Sequence, residues 1–434
     1  AAVRADDRSA FGEFFERQYY PKLSGTWTIS EESFWGIDQI NSLRIRSAWG
    51  AAGRQPGTFS RTPQYTTATG PGGNAPAIRL SSPGNTNVGP ETSQEWEGGF
   101  DIAFLDDRVF GEFTYFQQWV FDAIVRTDLA PSEGFTGGIE ANMGSMENKG
   151  WEASIDWTVI DSDALGFNIR VSADHTANKI TYLDPLADTD VNFKEGYFFP
   201  NVVFTITDSA KFTDPHPDSI YVSGLTTYCD FGDPLSPEGL ARGGPSVPCS
   251  VTNTADQELM AAAAYPAYTY SIAPTLRLLE NQLEIYALAE GSYGRWLANI
   301  DADARGTSSL SNYVTGSNSR QSSIFTDGNW YGSRQQRDER YTGRYSADFW
   351  KLREVGARYQ IPQSALASLG IDRASVSASM TNVWTIWRKQ WRDRGNVRIP
   401  DVETVAAYSN EPNFTYGGEF PGIAAFNMNV RVSF

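Results

Sequence analysis

The feature that most constrains this chain is a strict two-residue alternation between positions 147 and 174, ENKGWEASIDWTVIDSDALGFNIRVSAD. Trp151, Ala153, Ile155, Trp157 and Val159 fall on one side of an extended strand, and Glu152, Ser154, Asp156 and Thr158 on the other. Asp161-Ser162-Asp163 reads as a tight turn. The return arm repeats the pattern, with Leu165, Phe167, Ile169, Val171 and Ala173 opposing Asn168, Arg170, Ser172 and Asp174. Successive strand side chains point to opposite faces, so this hairpin has one apolar and one polar face. Each arm is roughly ten residues, the length that a tilted strand needs to cross a bilayer. The apolar face therefore meets either a protein core or lipid.

The same pattern recurs along the chain. Leu23, Gly25, Trp27 and Ile29 alternate with Lys22, Ser24, Thr26 and Thr28, and Leu43-Arg44-Ile45-Arg46 follows. Trp96, Gly98, Phe100, Ile102 and Phe104 lead to a turn at Asp106-Asp107 and a return strand from Val109 to Ala123. Tyr268 to Leu278 and Leu283 to Ala289 flank a turn at Glu280-Asn281-Gln282. Phe349 to Ile361, Ala374 to Met380 and Phe426 to Phe434 complete about twelve strands. The connections alternate between short ones, at Ser30, Asp106, Asp161, Glu280 and Pro362, and long ones, beginning at Ala5, Ala51, Asp128, Asp184, Asp301 and Trp387. The stretches from Ala51 to about Pro90, Gly134 to Gly144, Asp184 to about Ala264, Asp301 to about Ser346 and Trp387 to Gly418 are expected to be irregular. Short turns at one rim and long loops at the other are the mark of an outer-membrane barrel, periplasmic side short and extracellular side long. The expected fold is all-β, an antiparallel transmembrane β-barrel with a polar lumen. The chain closes an alternating strand on Phe434, which reads as a barrel assembly signal at the C-terminus.

No apolar run approaches the roughly 18 residues of a membrane helix, which leaves a barrel open because alternation hides its lipid face. The net charge of −17 argues against nucleic acid, whose phosphates require Lys and Arg. Aromatics are 13% of the chain, and Trp27, Trp49, Trp151, Trp157, Tyr359 and Phe434 fit girdles at the two membrane interfaces. Cys229 and Cys249 lie in one polar, Pro-rich stretch and read as a loop disulfide of an oxidising compartment, with two free thiols as the alternative. Such a bridge is worth roughly 3 kcal/mol. His175 and His216 are the two histidines, too few for a His-based metal cluster. No phosphate or dinucleotide loop precedes a helix pattern. Paired carboxylates such as Asp106-Asp107 sit in turns, and Asp184, Asp188 and Asp190 lack the spacing of a Ca²⁺ loop. No catalytic residue, cofactor or metal is expected. The chain opens on strand-like Ala1-Ala2-Val3-Arg4, so further sequence is expected upstream.

Several segments resemble the C-terminal half of the SusC/RagA family of TonB-dependent outer-membrane transporters. They are Val3-Arg4-Ala5-Asp6 with Phe11-Gly12, Tyr20-Pro21-Lys22-Leu23 before Trp27, and Leu43 to Gly50. Glu91 to Asp101 and Asn142 to Glu152 follow, then Phe349 to Val355 with Tyr359 and Pro362, Asn382-Val383-Trp384-Thr385 and the Phe434 terminus. The resemblance implies that residues 1–434 are the C-terminal part of a barrel of about 22 strands, with an N-terminal plug and earlier strands outside this sequence. It implies import of oligosaccharides or peptides across the outer membrane of a Gram-negative-type bacterium, energised through TonB, and no enzymatic activity. It further implies a SusD-like surface lipoprotein at the mouth and homodimers. The aromatic residues Tyr197, Phe198, Phe199, Trp330, Tyr331, Trp387 and Trp391 would then touch ligand or lid, or else pack the loops. A passive porin-like barrel and a surface glycan-binding β-protein are the alternatives.

Overall fold

The computed structural model describes residues 1–6, 17–70, 73, 76–128, 132, 138–184, 195–199, 201–204, 206–212, 225–230, 246–248, 260–299, 344–389, 403, 414–415 and 422–434. Twelve strands make one antiparallel sheet: β1 (Ala2–Asp6), β2 (Gln18–Thr28), β3 (Ile40–Arg54), β4 (Glu91–Phe104), β5 (Val109–Asp128), β6 (Gly138–Asp161), β7 (Leu165–Leu183), β8 (Tyr268–Leu278), β9 (Leu283–Tyr293), β10 (Phe349–Ile361), β11 (Arg373–Arg388) and β12 (Ala425–Ser433). Each strand pairs with its sequence neighbours, a pure meander. Among the described residues the sheet is not closed, and β1 and β12 form its two edges.

The alternation sets the two faces. Val171 pairs with Ile155 and with Ile272, all three outward and exposed. Asp156 faces Arg170 and Ser172 faces Ser271 on the inner side. The outer row continues through Leu23, Trp27, Ile45, Trp49, Trp96, Phe100, Val355, Tyr359, Met380, Met428 and Val430, every one exposed. An exposed apolar band of this extent requires lipid. Part of it is a chain of rings: Trp151 near His175, His175 stacked on Tyr268 at 4.3 Å, and Tyr270 near Tyr293 and Trp350.

The short connections form as the sequence dictates. Leu105, Asp106 and Asp107 all take left-handed φ of 57–61°, and Leu279, Glu280 and Asn281 take 54–66°. Asp and Asn tolerate that region, whereas leucine does so at a cost. Ser162 Oγ accepts the Leu165 N–H at 3.2 Å and closes the third turn.

The long-connection rim is more regular than expected. The Gly134–Gly144 stretch was expected to be a loop, but β6 already starts at Gly138, because its backbone pairs with Asp128 of β5. Within the stretch from Ala51 to Pro90, β3 runs on to Arg54, and Gln64–Thr69 pairs with Pro76–Ser82. Short ladders also occur inside 184–264, where Asn201–Phe204 pairs with Met260–Ala263 and Ile206–Phe212 with Leu225–Asp230. Trp387 was expected to open a loop; it lies on β11 and stacks on Tyr293 at 5.8 Å. Pairing with a neighbouring strand overrides weak local propensity in all these places.

β6 is 24 residues long, about twice what crosses a bilayer, so its start stands clear of the membrane at the long-connection rim. There a local core forms from Met143, Ile180 and Leu183, packed by Val125, Ala141, Met146 and Phe199.

Two predictions follow from the faces and the turns. Ile155→Arg destabilises the barrel by about 2–4 kcal/mol in lipid, whereas Ser172→Arg on the inner face is tolerated; urea unfolding from vesicles measures both. Leu279→Gly relieves a left-handed leucine and raises stability by about 0.5–1 kcal/mol in the same assay.

Candidate functional site

The inner wall is the candidate site, because it carries the polar side chains that alternation sends away from lipid. On β3 and β4, Asp101 is 3% exposed and lies between two arginines. Arg44 Nε donates to its Oδ2 at 2.7 Å, and Arg46 Nη2 stands 3.4 Å from its Oδ1. Arg46 Nη2 also donates to Thr114 Oγ1 on β5 at 2.7 Å. The carboxylate thus ties β3 to β4, and Arg46 carries the link on to β5. Replacing Asp101 with Asn leaves two guanidiniums close together without their shared counter-charge. Both reach solvent, so the expected loss is about 1–3 kcal/mol rather than that of a fully buried pair. Urea unfolding of the variant checks this, and Asp101→Glu should recover part of the loss.

Above this cluster the sheet curls around a concavity of about 660 Å³, whose polar lining includes Thr26, Glu97, Glu112, Glu152, Arg170 and Asp174. A ladder of amides and carboxylates runs beside it. Gln118 Nε2 donates to Glu95 Oε2 at 2.9 Å, and Asn148 Nδ2 donates to Gln118 Oε1 at 2.9 Å. On β9 and β10, Tyr286 donates from its hydroxyl to Glu354 Oε1 at 3.0 Å. Gly356 makes that possible, since a Cβ there would collide with the tyrosine ring.

The densest charge cluster lies at the start of β10. Arg353 Nη1 donates to Glu403 Oε2 at 2.6 Å, and its Nη2 donates to Glu403 Oε1. Lys351 Nζ donates to Glu403 Oε2 at 2.5 Å, and Arg353 Nε donates to Glu290 Oε2 at 2.6 Å. The Phe349 ring lies 5.4 Å from each cation. Burial pushes the Glu403 carboxyl up, but the hydrogen bonds and charges of Arg353 and Lys351 outweigh it and hold the group below its ordinary range. Periodicity gave no sign of Glu403, which lies far from β10 in sequence, and the contact arises only in the folded chain.

The aromatic residues expected to touch ligand are dispersed. Tyr197 is buried at 2% exposure, and its carbonyl accepts the Ile180 N–H at 2.9 Å. Phe199 packs on the Met143 core, its N–H donating to Asn178 Oδ1 at 3.1 Å. Phe198 is half-buried beside them. Trp387 is on the outer belt. Trp330, Tyr331, Trp391 and Cys249 lie outside the described residues, as does the Cys229 side chain. Phe434 is exposed directly after β12.

Fold and wall together define a membrane barrel of the transport class, apolar outside and charged within. Residues 1–270 match the family model for TonB dependent receptor-like, beta-barrel proteins. TonB-dependent receptor P3 of Formosa agariphila is 22% identical over 459 residues, 100% of this chain and 43% of that protein. TonB-dependent receptor SusC of Bacteroides thetaiotaomicron is 27% identical over 203 residues, 45% of this chain and 20% of that protein. The solved RagAB peptide transporter shares the fold, with a TM-score of 0.69 at 16% identity, over 100% of this chain and 45% of that one. The chain belongs to the TonB-dependent receptor-like β-barrel family, and its similarity is to the SusC/RagA-like members. This is a family of outer-membrane transporters, not of enzymes. The chain spans less than half the length of these relatives.

Proposed function

We propose that residues 1–434 are the C-terminal part of the barrel of a longer transporter, which imports oligosaccharides or peptides across a bacterial outer membrane with energy supplied through TonB. The observation that carries this reading is a charged inner wall joined to two unpaired edges, β1 and β12. Unpaired backbone groups at lipid depth cost several kcal/mol each. In lipid the edges need partners, either each other or further strands; the greater length of the relatives supports further strands. In this reading an N-terminal plug fills the lumen and a SusD-like lipoprotein covers the long-connection rim. Cys229 and Cys249 form a loop disulfide there, and aromatic residues of the loops, Trp330, Tyr331 and Trp391 among them, meet the ligand. Two such barrels associate as a homodimer.

The test is uptake of labelled oligosaccharides and oligopeptides by cells that express the full-length protein. TonB-driven import is saturable and stops when a protonophore collapses the inner-membrane gradient. Uptake that survives the protonophore identifies a passive porin and overturns the proposal.

A further inference from the structure

The lipid-facing side of β6 and β7 changes character toward the long-connection rim. On β6 the outward series runs through Trp157, Ile155, Ala153 and Trp151, then turns charged at Lys149 and Glu147. On β7 it runs through Ile169, Val171, Ala173, His175 and Ala177 and reaches Lys179. Glu152 and Asp174 line the inner concavity, and each stands an odd number of residues from its strand's lysine with the register unbroken between. Both lysines therefore point away from the lumen. Between the register shifts of these two strands, Arg170 faces inward, and Lys149 and Lys179 are the only cations on the lipid side.

Their depth follows from the strand. From the short turn at Asp161 back to Trp151 is about ten residues, one crossing of the hydrocarbon. Trp151, His175 and Tyr268 form the last row of rings, with His175 stacked on Tyr268 at 4.3 Å and its Nδ1 2.8 Å from the Ala267 carbonyl oxygen. Such rings lie at headgroup level. Lys149 pairs with Ala177 and Lys179 with Glu147, so the lysines are diagonal neighbours on adjacent strands. Their roots stand roughly 7 Å apart, and their flexible stems let both ammonium groups reach one anion. The Lys149 side chain is 52% exposed, with Nζ 4.0 Å from Glu147 Oε2. Glu147 Oε1 also accepts from Gln117 Nε2. Lys179 is exposed and has no hydrogen bond or ion pair among the described residues. Two cations share one carboxylate, which leaves a local positive surplus on a chain whose net charge is −17.

We infer that Lys149 and Lys179 dock the anionic phosphate of a lipid headgroup in the leaflet at the long-connection rim, the outer one. A lone lysine at this depth needs only water for its ammonium. Two side by side repel each other unless an anion lies between them, and Glu147 supplies one charge for two. The exposed apolar surface directly below, with Ile155 and Val171, is where the acyl chains of the same lipid lie, and it commits the surface to a lipid rather than to free phosphate. The inference goes beyond import and concerns the outside of the barrel, so it stands whatever the lumen passes.

The test uses full-length protein in a maltoside detergent, which carries no phosphate, titrated with lipid A and with lipid A stripped of its phosphates. Native mass spectrometry counts the lipid retained. The native protein should hold the phosphorylated form more tightly than the stripped form. Lys149→Gln and Lys179→Gln should each weaken the phosphorylated form about five-fold and leave the stripped form unchanged. Lys179→Arg keeps the charge and should keep the affinity, whereas Glu147→Gln removes the competing carboxylate and should tighten binding. Arg170→Gln, on the inner face, should change nothing. Equal retention of the two lipids by the native protein overturns the inference, and that comparison needs no variant to fold. So does an equal loss in Arg170→Gln, or displacement of the lipid by millimolar inorganic phosphate. A double Lys149→Gln, Lys179→Gln variant that loses a dimer but keeps its lipid would assign the face to a second copy and overturn it as well.

Discussion

Everything in this chain depends on satisfying backbone hydrogen bonds where water is absent. In the hydrocarbon interior an N–H or C=O finds a partner only in another strand or in its own helix. No helix among the described residues is long and apolar enough to span a membrane, and the pairing is strand to strand. The pleat then fixes what each side chain can be. Alternate positions meet lipid, as Ile155 and Val171 do, and the others are forced inward, where they must be polar and mutually satisfied. The charged wall is thus a by-product of the same geometry that makes the outer face greasy.

That wall is organised across strands rather than along them. Asp101 on β4 answers arginines on β3, and Arg353 on β10 answers Glu290 on β9. Cross-strand charge pairs hold register as well as adding stability, since a slip of one residue would turn an arginine toward lipid. The Glu403 cluster adds a tie of a different kind, from a connecting segment back onto the wall. Function on such a scaffold belongs to the wall and to what the long connections bring against it.

Much of this was legible in the sequence. Period-two alternation gave about twelve strands and the faces of most of them, and Asp106-Asp107 and Glu280-Asn281 announced their turns. What stayed hidden lies where strands leave the membrane. Beyond the bilayer the outer face need not be apolar, so alternation fades over Gly138–Gly144 and Thr381–Arg388 while the ladder continues. Small polar stretches such as Gln64–Thr69 pair for want of a better partner and carry no pattern at all. The wall clusters were invisible for another reason. Arg353 stands on an expected strand, but alternation counted from Val355 would turn it outward, and both its inward face and its pairing with Glu403 are properties of the folded chain.

The bulges have a consequence for how such a wall changes through time. In an unbroken ladder, losing or gaining one residue inverts every side chain beyond that point, so point insertions are lethal to the pattern. A register shift such as those beside Lys351 and Arg353 absorbs an extra residue and restores the phase on the far side. The strand is therefore divided into segments whose inward set can be re-dealt by a single codon, with the lipid face of the remainder untouched. Similar shifts stand between Val120 and Ile124 and between Ser145 and Met146, at the rim of the long connections. The part of the barrel that meets the outside is thereby the part most open to revision.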